Sequence, residues 1–481
     1  MTTAKAPPNS LGWKGSVANL VLAVVCFNLA YISHWAAATT LLIFGYAFFL
    51  ILLADQPSVR RAFYFGLAVG FGCGAGQAFF FFNIFKAAAV VLWLVFGFWI
   101  GLFTAISCGC TRRWGKATTV WLVPVIWTGT EYFRSELYFL RFSWLNIGYV
   151  FSNFSIAPFN ELGMYGLGFV VFLVASVLCF RNFVGKAWVG AICLGVLALA
   201  LLLSYFPQMT PPKSGNSVKI AGVQMEFPPA RLIPRILNQA LAKNTNAPIF
   251  VLSEYTLDGG VPAILKDWCQ QHSRFLVVGG KDFVTNDVYY DTVFVVGTNG
   301  ETVFKQAKCV PIQLFKDGLP ATGQAVWNSP WGKIGFCICY DLSYTRVTDV
   351  LVRQGAQMLI VPSMDVEDWG KHQHELHARV APVRAAEYGL PIFRVASSGI
   401  SQAVTGQGRV IARTSVPGMG EIFSAQMELP AHGSIPMDRA IAPFCVIATG
   451  VITAGLLLLT WTEKRTGQKT NAAKVKERAV V

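Results

Sequence analysis

Long apolar runs constrain the fold of this chain more than any other feature of its sequence. A helix needs about 17 to 25 apolar residues to cross a bilayer, and hydrophobic residues make up 54% of the chain, with a mean hydropathy of +0.49. We therefore predict a multi-pass α-helical membrane domain of about eight transmembrane helices. The runs cover residues 17–33, 36–53, 62–82, 87–108, 118–133, 162–180, 187–206 and 440–460.

The positive charge of the chain lies between these runs. The formal net charge is +14, but there is no basic domain with interleaved aromatic residues, so nucleic acid is not an expected partner. The positive-inside rule assigns the basic segments to the cytoplasm, which puts both termini inside and residues 207–438 outside. The basic segments carry Lys5, Lys14, Arg60, Arg61, Arg112, Arg113, Lys116, Arg181 and Lys186, and a basic tail follows at residues 463–478.

Glycine and proline in the apolar runs bear on helix packing. Gly66, Gly70 and Gly74 recur at every fourth residue of the third run, a spacing that predicts close approach of a neighbouring helix. Pro124 predicts a kink in the fifth run. The polar and aromatic residues 134–161 are expected at the outer membrane interface.

From Ser217 onward, short strands, helices and turns alternate, which is typical of an α/β domain. Asn299 and Gly300 stand between two strand-like segments and predict a hairpin. We expect helices over residues 233–242 and 346–354. The predicted domains are a seven-helix membrane domain at 1–210, the α/β domain at 211–432, a C-terminal transmembrane helix at 433–461 and a basic cytoplasmic tail at 462–481.

Cys339 lies where a predicted buried strand, residues 334–338, meets a predicted helix. At such a junction the backbone N–H groups and the positive helix end favour a thiolate or an oxyanion. A strand cysteine is nevertheless more often a packed hydrophobic residue, and this is the interpretation we give Cys337. Three candidate helix caps follow the junction: Asp341, Ser343 and Thr345.

A carboxylate and an ammonium group end two other predicted strands. Glu254 ends IFVLSE and Lys308 ends TVFKQAK, as Cys339 ends FCICY. Each alone is weak evidence, because a carboxylate there is commonly a cap and a lysine is commonly solvated. Together they supply a base, a cation for an oxyanion and a thiol, which are the groups that nucleophilic acyl transfer needs. Lys305 remains the alternative cation.

In this order and spacing, Glu254, Lys308 and Cys339 resemble the triad of the nitrilase, or carbon–nitrogen hydrolase, superfamily over about residues 217–430. The segments ICYD and RAAEYGLPIFRVASSG extend the likeness. The resemblance implies an αββα sandwich. Asp341 stands where the family usually has glutamate, and CVPIQLFKD after Lys308 offers no clear match to the family's second glutamate.

Seven apolar runs before such a domain and one after it are similar to the apolipoprotein N-acyltransferase family, as are RFSWLNIGY and YGLGFVVF. The resemblance implies transfer of an acyl chain from a phospholipid to the α-amino group of an apolipoprotein's S-diacylglyceryl cysteine, through a thioester and without a cofactor. It implies a bacterial cytoplasmic (inner) membrane protein with its catalytic domain on the periplasmic, outer face. The substrate-binding residues that we expect are Tyr340, Asp341, Trp369 and Trp144.

Two other functions fit part of the sequence. A membrane-anchored nitrilase-family amidase would hydrolyse small amides, but it needs one anchor rather than eight helices. A receptor built on an inactive scaffold would require a broken triad, and Glu254, Lys308 and Cys339 are all present.

Histidines and cysteines suggest two further sites. His372, His374 and His377 lie close together, but Glu375 is not placed as an HExxH zinc motif requires, so we predict no metal. The eleven cysteines show no disulfide framework, although a bridge between Cys269 and Cys309 stays open.

Overall fold

The computed structural model describes residues 12–32, 39–153, 158–184, 195, 216–415 and 420–478. The described part before residue 195 is helical. Its helices are α1 (Trp13–Ala30), α2 (Leu42–Ala54), α3 (Val59–Gln77), α4 (Phe81–Phe85), α5 (Ala89–Tyr132), α6 (Phe159–Cys179) and α7 (Arg181–Val184).

Residues 217–428 form two six-stranded sheets. The first sheet has the order β12-β1-β2-β3-β4-β5 and the second has the order β11-β10-β9-β8-β7-β6. The strands are β1 (Ser217–Gln224), β2 (Ile249–Leu252), β3 (Phe275–Phe283), β4 (Tyr289–Val296), β5 (Thr302–Ala307), β6 (Trp327–Ser329), β7 (Gly332–Phe336), β8 (Met358–Ser363), β9 (Ile392–Ala396), β10 (Gln402–Val404), β11 (Val410–Arg413) and β12 (Glu421–Glu428).

Helices cover the outer faces of both sheets. They are α8 (Ile233–Lys243) and α9 (Ala263–His272), then α10 (Thr345–Arg353), α11 (Lys371–Ala378) and α12 (Val380–Tyr388), and the chain continues into α13 (Asp438–Arg478). Apolar side chains of both sheets, among them Val251 and Phe336, fill the space between the sheets. This is the αββα sandwich that the sequence predicts.

One apolar cluster joins the sandwich to the membrane-type helices. It includes Phe103 and Phe172 of α5 and α6 together with Leu359 of β8 and Val383 of α12. The second sheet and its helices therefore pack on the helical part, while α8 and α9 cover the far side of the first sheet.

Four helical segments of the described residues are long and apolar enough to cross a membrane: Trp13–Ala30, Phe81–Leu137, Phe159–Cys179 and Asp438–Thr466. The second of these has 57 residues and contains two of the predicted runs. Its backbone leaves helical geometry at Gly115, where φ is 79°, and Pro124 lies within the helix. The apolar helical domain is thus confirmed.

Two predicted runs differ from the helices that the structure describes. The run at 36–53 overlaps the shorter helix α2, which has 13 residues and ends at Ala54. The run at 62–82 is divided between α3 and α4. The run at 187–206 lies outside the described residues, apart from residue 195, so the number of eight spans stays a prediction.

Glycines bring α3 and α5 into backbone contact. A Cβ added to Gly70 would lie 2.7 Å from the Cα of Gly97, and one added to Gly66 would lie 2.9 Å from the Cα of Gly101. Side chains larger than hydrogen do not fit at such distances. The close approach predicted from the glycine spacing is confirmed.

The predicted capping of the helix after Cys339 is wrong. A 3₁₀ helix, Cys339–Ser343, intervenes, and α10 begins after Tyr344 without a side-chain cap. The Asp341 carboxylate instead accepts from the N–H groups of Ile338, Cys309 and Val310. These last two partners lie about 30 residues away along the chain, so local sequence rules do not reveal them.

Candidate active site

Three strand ends converge on one point of the sandwich. Glu254 follows β2 and Lys308 follows β5 in the first sheet, and Cys339 follows β7 in the second. Two antiparallel reversals, β3 to β4 and β4 to β5, return β5 to the direction of β2. Because of that, Glu254 and Lys308 leave the sheet at the same edge.

Lys308 lies in a buried cluster of carboxyl groups. Its Nζ is 2.7 Å from Glu254 Oε1, 2.7 Å from Asp317 Oδ2 and 3.3 Å from Asp291 Oδ2. Burial lowers the pKa of Lys308, but the charges of Asp317, Glu254 and Asp291 outweigh burial and hold that pKa well above its usual value. The ammonium group is therefore charged at every physiological pH.

The carboxyls of Glu254 and Asp291 have opposite ionisation behaviour. Burial raises the pKa of Glu254, but the Lys308 ammonium and hydrogen bonds from Asp291, Lys308 and Cys339 bring it below its usual value. Burial raises the pKa of Asp291 well above its usual value, and the charge of Glu254 raises it further. Of these two carboxyls, Glu254 is therefore the one that ionises more readily.

The same carboxyls could be taken for a metal site. Oxygens of Glu254, Asp291 and Asp317 lie within 4.8 Å of one another, and they form the one such group of metal-type ligands in the part of the chain that the structure describes. Lys308 Nζ lies within 3.3 Å of all three side chains. The lysine ammonium therefore supplies the positive charge that a metal ion would otherwise bring.

Cys339 has an unusual backbone conformation at the start of its 3₁₀ helix. Its φ is 50°, in the left-handed region that non-glycine residues rarely adopt. Its Sγ donates to the carbonyl oxygen of Met364 at 3.6 Å. Burial raises the pKa of the Cys339 thiol well above its usual value, and the charge of Glu254 adds to this. The expectation that the junction favours a thiolate is therefore wrong for this structure, in which the thiol is neutral.

Met364, directly after β8, contacts both the base and the thiol. Its N–H donates to Glu254 Oε2 at 2.5 Å, and its carbonyl accepts from Cys339 Sγ. The next residue, Asp365, pairs with Arg394 at 2.5 Å and with His377 at 2.7 Å. This buried network holds the loop after β8 in place.

A largely apolar cavity, open to solvent at one end, extends from Cys339 into the helical part. It lies between the loop after Lys308 and helices α3, α4 and α5. Its lining includes Phe81, Phe85, Trp93, Phe96, Phe142 and Phe315. A chain of aliphatic carbons could occupy such a space.

Three of the four predicted substrate-binding residues line this cavity. They are Tyr340, Trp369 and Trp144. Trp144 stacks on His377 with ring centroids 4.5 Å apart and donates from Nε1 to Ser343 Oγ at 2.9 Å. Asp341 is 1% exposed and binds backbone N–H groups, so it holds the loop after Lys308 beside the site.

The alternative residues lie elsewhere or have other partners. Lys305 is 60% exposed and pairs with Asp282, so only Lys308 of the two lysines lies beside Cys339. His372 contacts Gln77 of α3, and His374 contacts the carbonyl of Val366. No metal cluster forms from these histidines within the described residues.

None of the cysteines in the described residues is bridged. Cys269 and Cys309 are both free thiols, and Cys337 is fully buried in the apolar cluster that joins the two parts of the molecule.

The sequence analysis missed three contributors to the site. Asp291 lies inside β4, and Met364 is one apolar residue among many. Asp317 ends the CVPIQLFKD segment, where we found no match to the family's second glutamate. Tyr255 Oη donates to Asp317 Oδ1 at 2.9 Å, which fixes this carboxyl against Lys308. An aspartate nine residues after the lysine was the available signal.

Comparisons with known proteins agree with this architecture. Residues 227–433 match the family "Carbon-nitrogen hydrolase", and residues 21–177 match "Apolipoprotein N-acyltransferase N-terminal domain". An apolipoprotein N-acyltransferase of Geobacter metallireducens is 21% identical over 76% of this chain and 81% of its own length. An apolipoprotein N-acyltransferase of Rickettsia typhi is 22% identical over 86% of this chain and 93% of its own length. The crystal structure of Saccharomyces cerevisiae Nit3, of the nitrilase superfamily, is 20% identical, with a TM-score of 0.39 over 44% of this chain and 90% of Nit3.

The fold and the matched families define a membrane protein with an enzyme domain of the nitrilase superfamily. The family can be stated more narrowly, because one matched family model is specific to apolipoprotein N-acyltransferases and the relatives align over most of the chain. The chain belongs to the apolipoprotein N-acyltransferase family.

Proposed function

We propose that this chain transfers an acyl chain from a membrane phospholipid to the α-amino group of the S-diacylglyceryl cysteine of an apolipoprotein, through a thioester on Cys339. One observation supports this choice of substrate above all. The cavity that holds Cys339 is largely apolar, and much of its lining comes from the membrane-length segment Phe81–Leu137. A hydrolase of small, soluble amides needs no such cavity.

In the first half-reaction, Glu254 acts as the general base. It removes the proton of the Cys339 thiol, and Sγ attacks the ester carbonyl of the phospholipid. The ionised state of Glu254 and the neutral state of the thiol suit this transfer. When the tetrahedral intermediate collapses, Glu254 returns the proton to the departing alcohol, a lysophospholipid is released, and the acyl chain remains on Sγ.

The second half-reaction reverses these roles. The amine of the acceptor attacks the thioester carbonyl, Glu254 accepts the proton from nitrogen, and the Cys339 thiol is restored with that proton. An amide is formed from a thioester, which is a downhill step and needs no cofactor.

Lys308 stabilises the negative charge in both intermediates, together with the backbone N–H that follows Cys339. Asp317 and Asp291 hold the ammonium group in position at 2.7 and 3.3 Å. A lysine held by several carboxyl groups loses little entropy when an oxyanion forms beside it. Glu254, Lys308 and Cys339 are thus the proposed catalytic residues, and Tyr340, Trp369 and Trp144 the proposed substrate contacts.

The membrane arrangement is part of the proposal. We assign eight spans, with residues 211–432 as the catalytic domain outside the bacterial inner membrane and residues 462–481 as a cytoplasmic tail. The charge distribution between the apolar runs supports this orientation. It lets the catalytic domain meet two substrates that are both anchored in the bilayer.

Mass spectrometry of lipoprotein N-termini in cells tests the function. Cells without the gene should accumulate lipoproteins with a free α-amino group, and expression of the wild-type chain should restore the N-acyl group. Cys339→Ala should fail to restore it at equal protein level. Unchanged N-termini in cells without the gene would leave the amidase function as the better explanation.

A further inference from the structure

Two polar side chains of the cavity have groups without a hydrogen-bond acceptor. Arg141 Nε and Gln313 Nε2 are buried, and neither contacts an acceptor in the part of the chain that the structure describes. Both residues line the cavity that holds Cys339. Since an unsatisfied buried donor costs free energy, a ligand that supplies acceptors would bind here favourably.

Among the residues that the structure describes, Arg141 also has no ion-pair partner. Its guanidinium lies 5.3 Å from the ring centre of Tyr344 rather than beside a carboxylate. Arg134 lines the same cavity but donates to the carbonyl of Phe142 at 2.7 Å and to Asn146 Oδ1. Of these two arginines, Arg141 is the one available to an anion.

Arg141 is fixed to the turn that carries the nucleophile. Its carbonyl oxygen accepts from Tyr340 Oη at 2.8 Å and from Tyr344 Oη at 3.5 Å. Tyr340 directly follows Cys339, and the rings of Tyr340 and Tyr344 are 5.0 Å apart. The backbone of Arg141 is therefore tied to the turn that carries Cys339, so the side chain of Arg141 starts from a fixed point beside the nucleophile.

We propose that Arg141 and Gln313 bind the phosphodiester of a glycerophospholipid acyl donor, an inference that rests on the proposed function. The ligand must combine apolar chains, which suit the cavity, with an anion beside the reacting ester. In a glycerophospholipid the glycerol backbone links these two groups. The carboxylate of a fatty acid does not fit, because its carboxyl carbon would lie at Cys339 and not at Arg141. A guanidinium matches phosphate through two parallel hydrogen bonds.

The test compares two acyl donors with the full-length protein in detergent. Labelled phosphatidylethanolamine and a labelled diacylglycerol with the same chains are offered separately, and acylation of Cys339 is followed by intact mass. Wild-type protein should load faster from the phospholipid. Arg141→Gln should lower kcat/KM for the phospholipid about 10- to 100-fold, through KM, and leave loading from diacylglycerol unchanged. Arg141→Lys should restore part of the preference.

Arg346→Gln is the matched control. In the wild type, the guanidinium of Arg346 also lies 5.3 Å from the ring centre of Tyr344. Arg346 donates to the carbonyl of Glu136 and does not line the cavity. This variant should keep the wild-type donor preference. Inorganic phosphate, added as a competitor, should not slow loading.

Three results would contradict the inference. Equal losses with both donors in Arg141→Gln would mean a structural role for Arg141. Inhibition by inorganic phosphate in the wild type but not in Arg141→Gln would assign the subsite to a free anion. No adduct from either donor on wild-type Cys339 would overturn the proposed function itself, and the inference with it.

Discussion

Lys308 Nζ lies 2.7 Å from Glu254 Oε1, and neither side chain is exposed to solvent. Removing one partner of a buried ion pair leaves the other charge uncompensated, at a cost of about 3–5 kcal/mol. Activity losses in variants of either residue must therefore be compared with their stability. Lys305, on the strand β5 that Lys308 follows, offers a control that lies outside the cluster.

Lys308→Ala should slow acyl-enzyme formation about 100- to 1,000-fold, by analogy with the loss of one oxyanion donor. Lys305→Ala should be nearly normal, because its ammonium is largely exposed and pairs with Asp282. The rate of labelled adduct formation tells which lysine is the catalytic cation. Near-UV circular dichroism shows first that each variant is folded. An inactive Lys305→Ala beside an active Lys308→Ala would show that we have chosen the wrong cation.

Cys339→Ala should abolish the acyl adduct, whereas Cys337→Ala should keep it. Cys337 is a packed thiol, so its loss should cost at most about 2–3 kcal/mol of unfolding free energy. Intact-mass analysis after incubation with a phospholipid gives the adduct, and thermal melting gives the stability. A folded Cys337→Ala protein without adduct would contradict the assignment of Cys339 as the sole nucleophile.

The expectation that Glu254, Lys308 and Cys339 act together came from their places at strand ends and from their resemblance to the triad of the nitrilase superfamily. Asp291 could not be predicted in the same way. The pairing of β4 with β5 shifts in register between Val295 and Val296. With this shifted register, the N–H of Lys308 donates to the carbonyl of Asp291 at 2.8 Å. Sequence does not reveal such a shift.

Apolar runs likewise predict membrane helices but not their bounds. The run at 36–53 overlaps a helix of 13 residues, and two runs merge in α5, where Gly115 interrupts the helical geometry. Asp341 was misassigned as a helix cap because its partners Cys309 and Val310 are distant in sequence. Helix bounds and the partners of Asp341 depend on contacts between residues that are far apart in the sequence.

The pH dependence of acylation should follow Glu254. Its pKa in the folded protein lies below the usual value of about 4.3, so the carboxylate adds stability that is fully present above pH 4.3 and is lost as the pH falls through the folded pKa. The acid limb of acyl-enzyme formation should therefore lie below about pH 4.3. An acid limb near pH 6 or 7 would contradict this ionisation state.

Asp291→Asn is the control for that experiment. Burial and the charge of Glu254 raise the pKa of Asp291, which favours its neutral form, and an amide resembles a neutral carboxyl in shape. Asp291→Asn should retain most of the activity at pH 7, with an unfolding free energy equal to or above that of the wild type, while Glu254→Gln should be inactive. Loss of activity in both would mean that Asp291 acts in its ionised form.

Reporter fusions test the orientation of the domains. Alkaline phosphatase fused after Gly259 should be active, because that residue belongs to the proposed outer domain, and a fusion after Arg113 should be inactive. A cytoplasmic reporter such as green fluorescent protein should give the opposite pattern at the same two positions. Activity of phosphatase only after Arg113 would reverse the proposed topology.

The fate of the acyl group tests the central claim most directly. Purified protein is loaded with a phospholipid labelled in its acyl chain, and the label is followed with and without a diacylated lipopeptide. We expect a stable adduct on Cys339 that discharges onto the α-amino group of the lipopeptide with ping-pong kinetics, because the apolar cavity excludes water from the thioester. Rapid release of labelled fatty acid, unaffected by the lipopeptide, would contradict acyl transfer and favour a hydrolase.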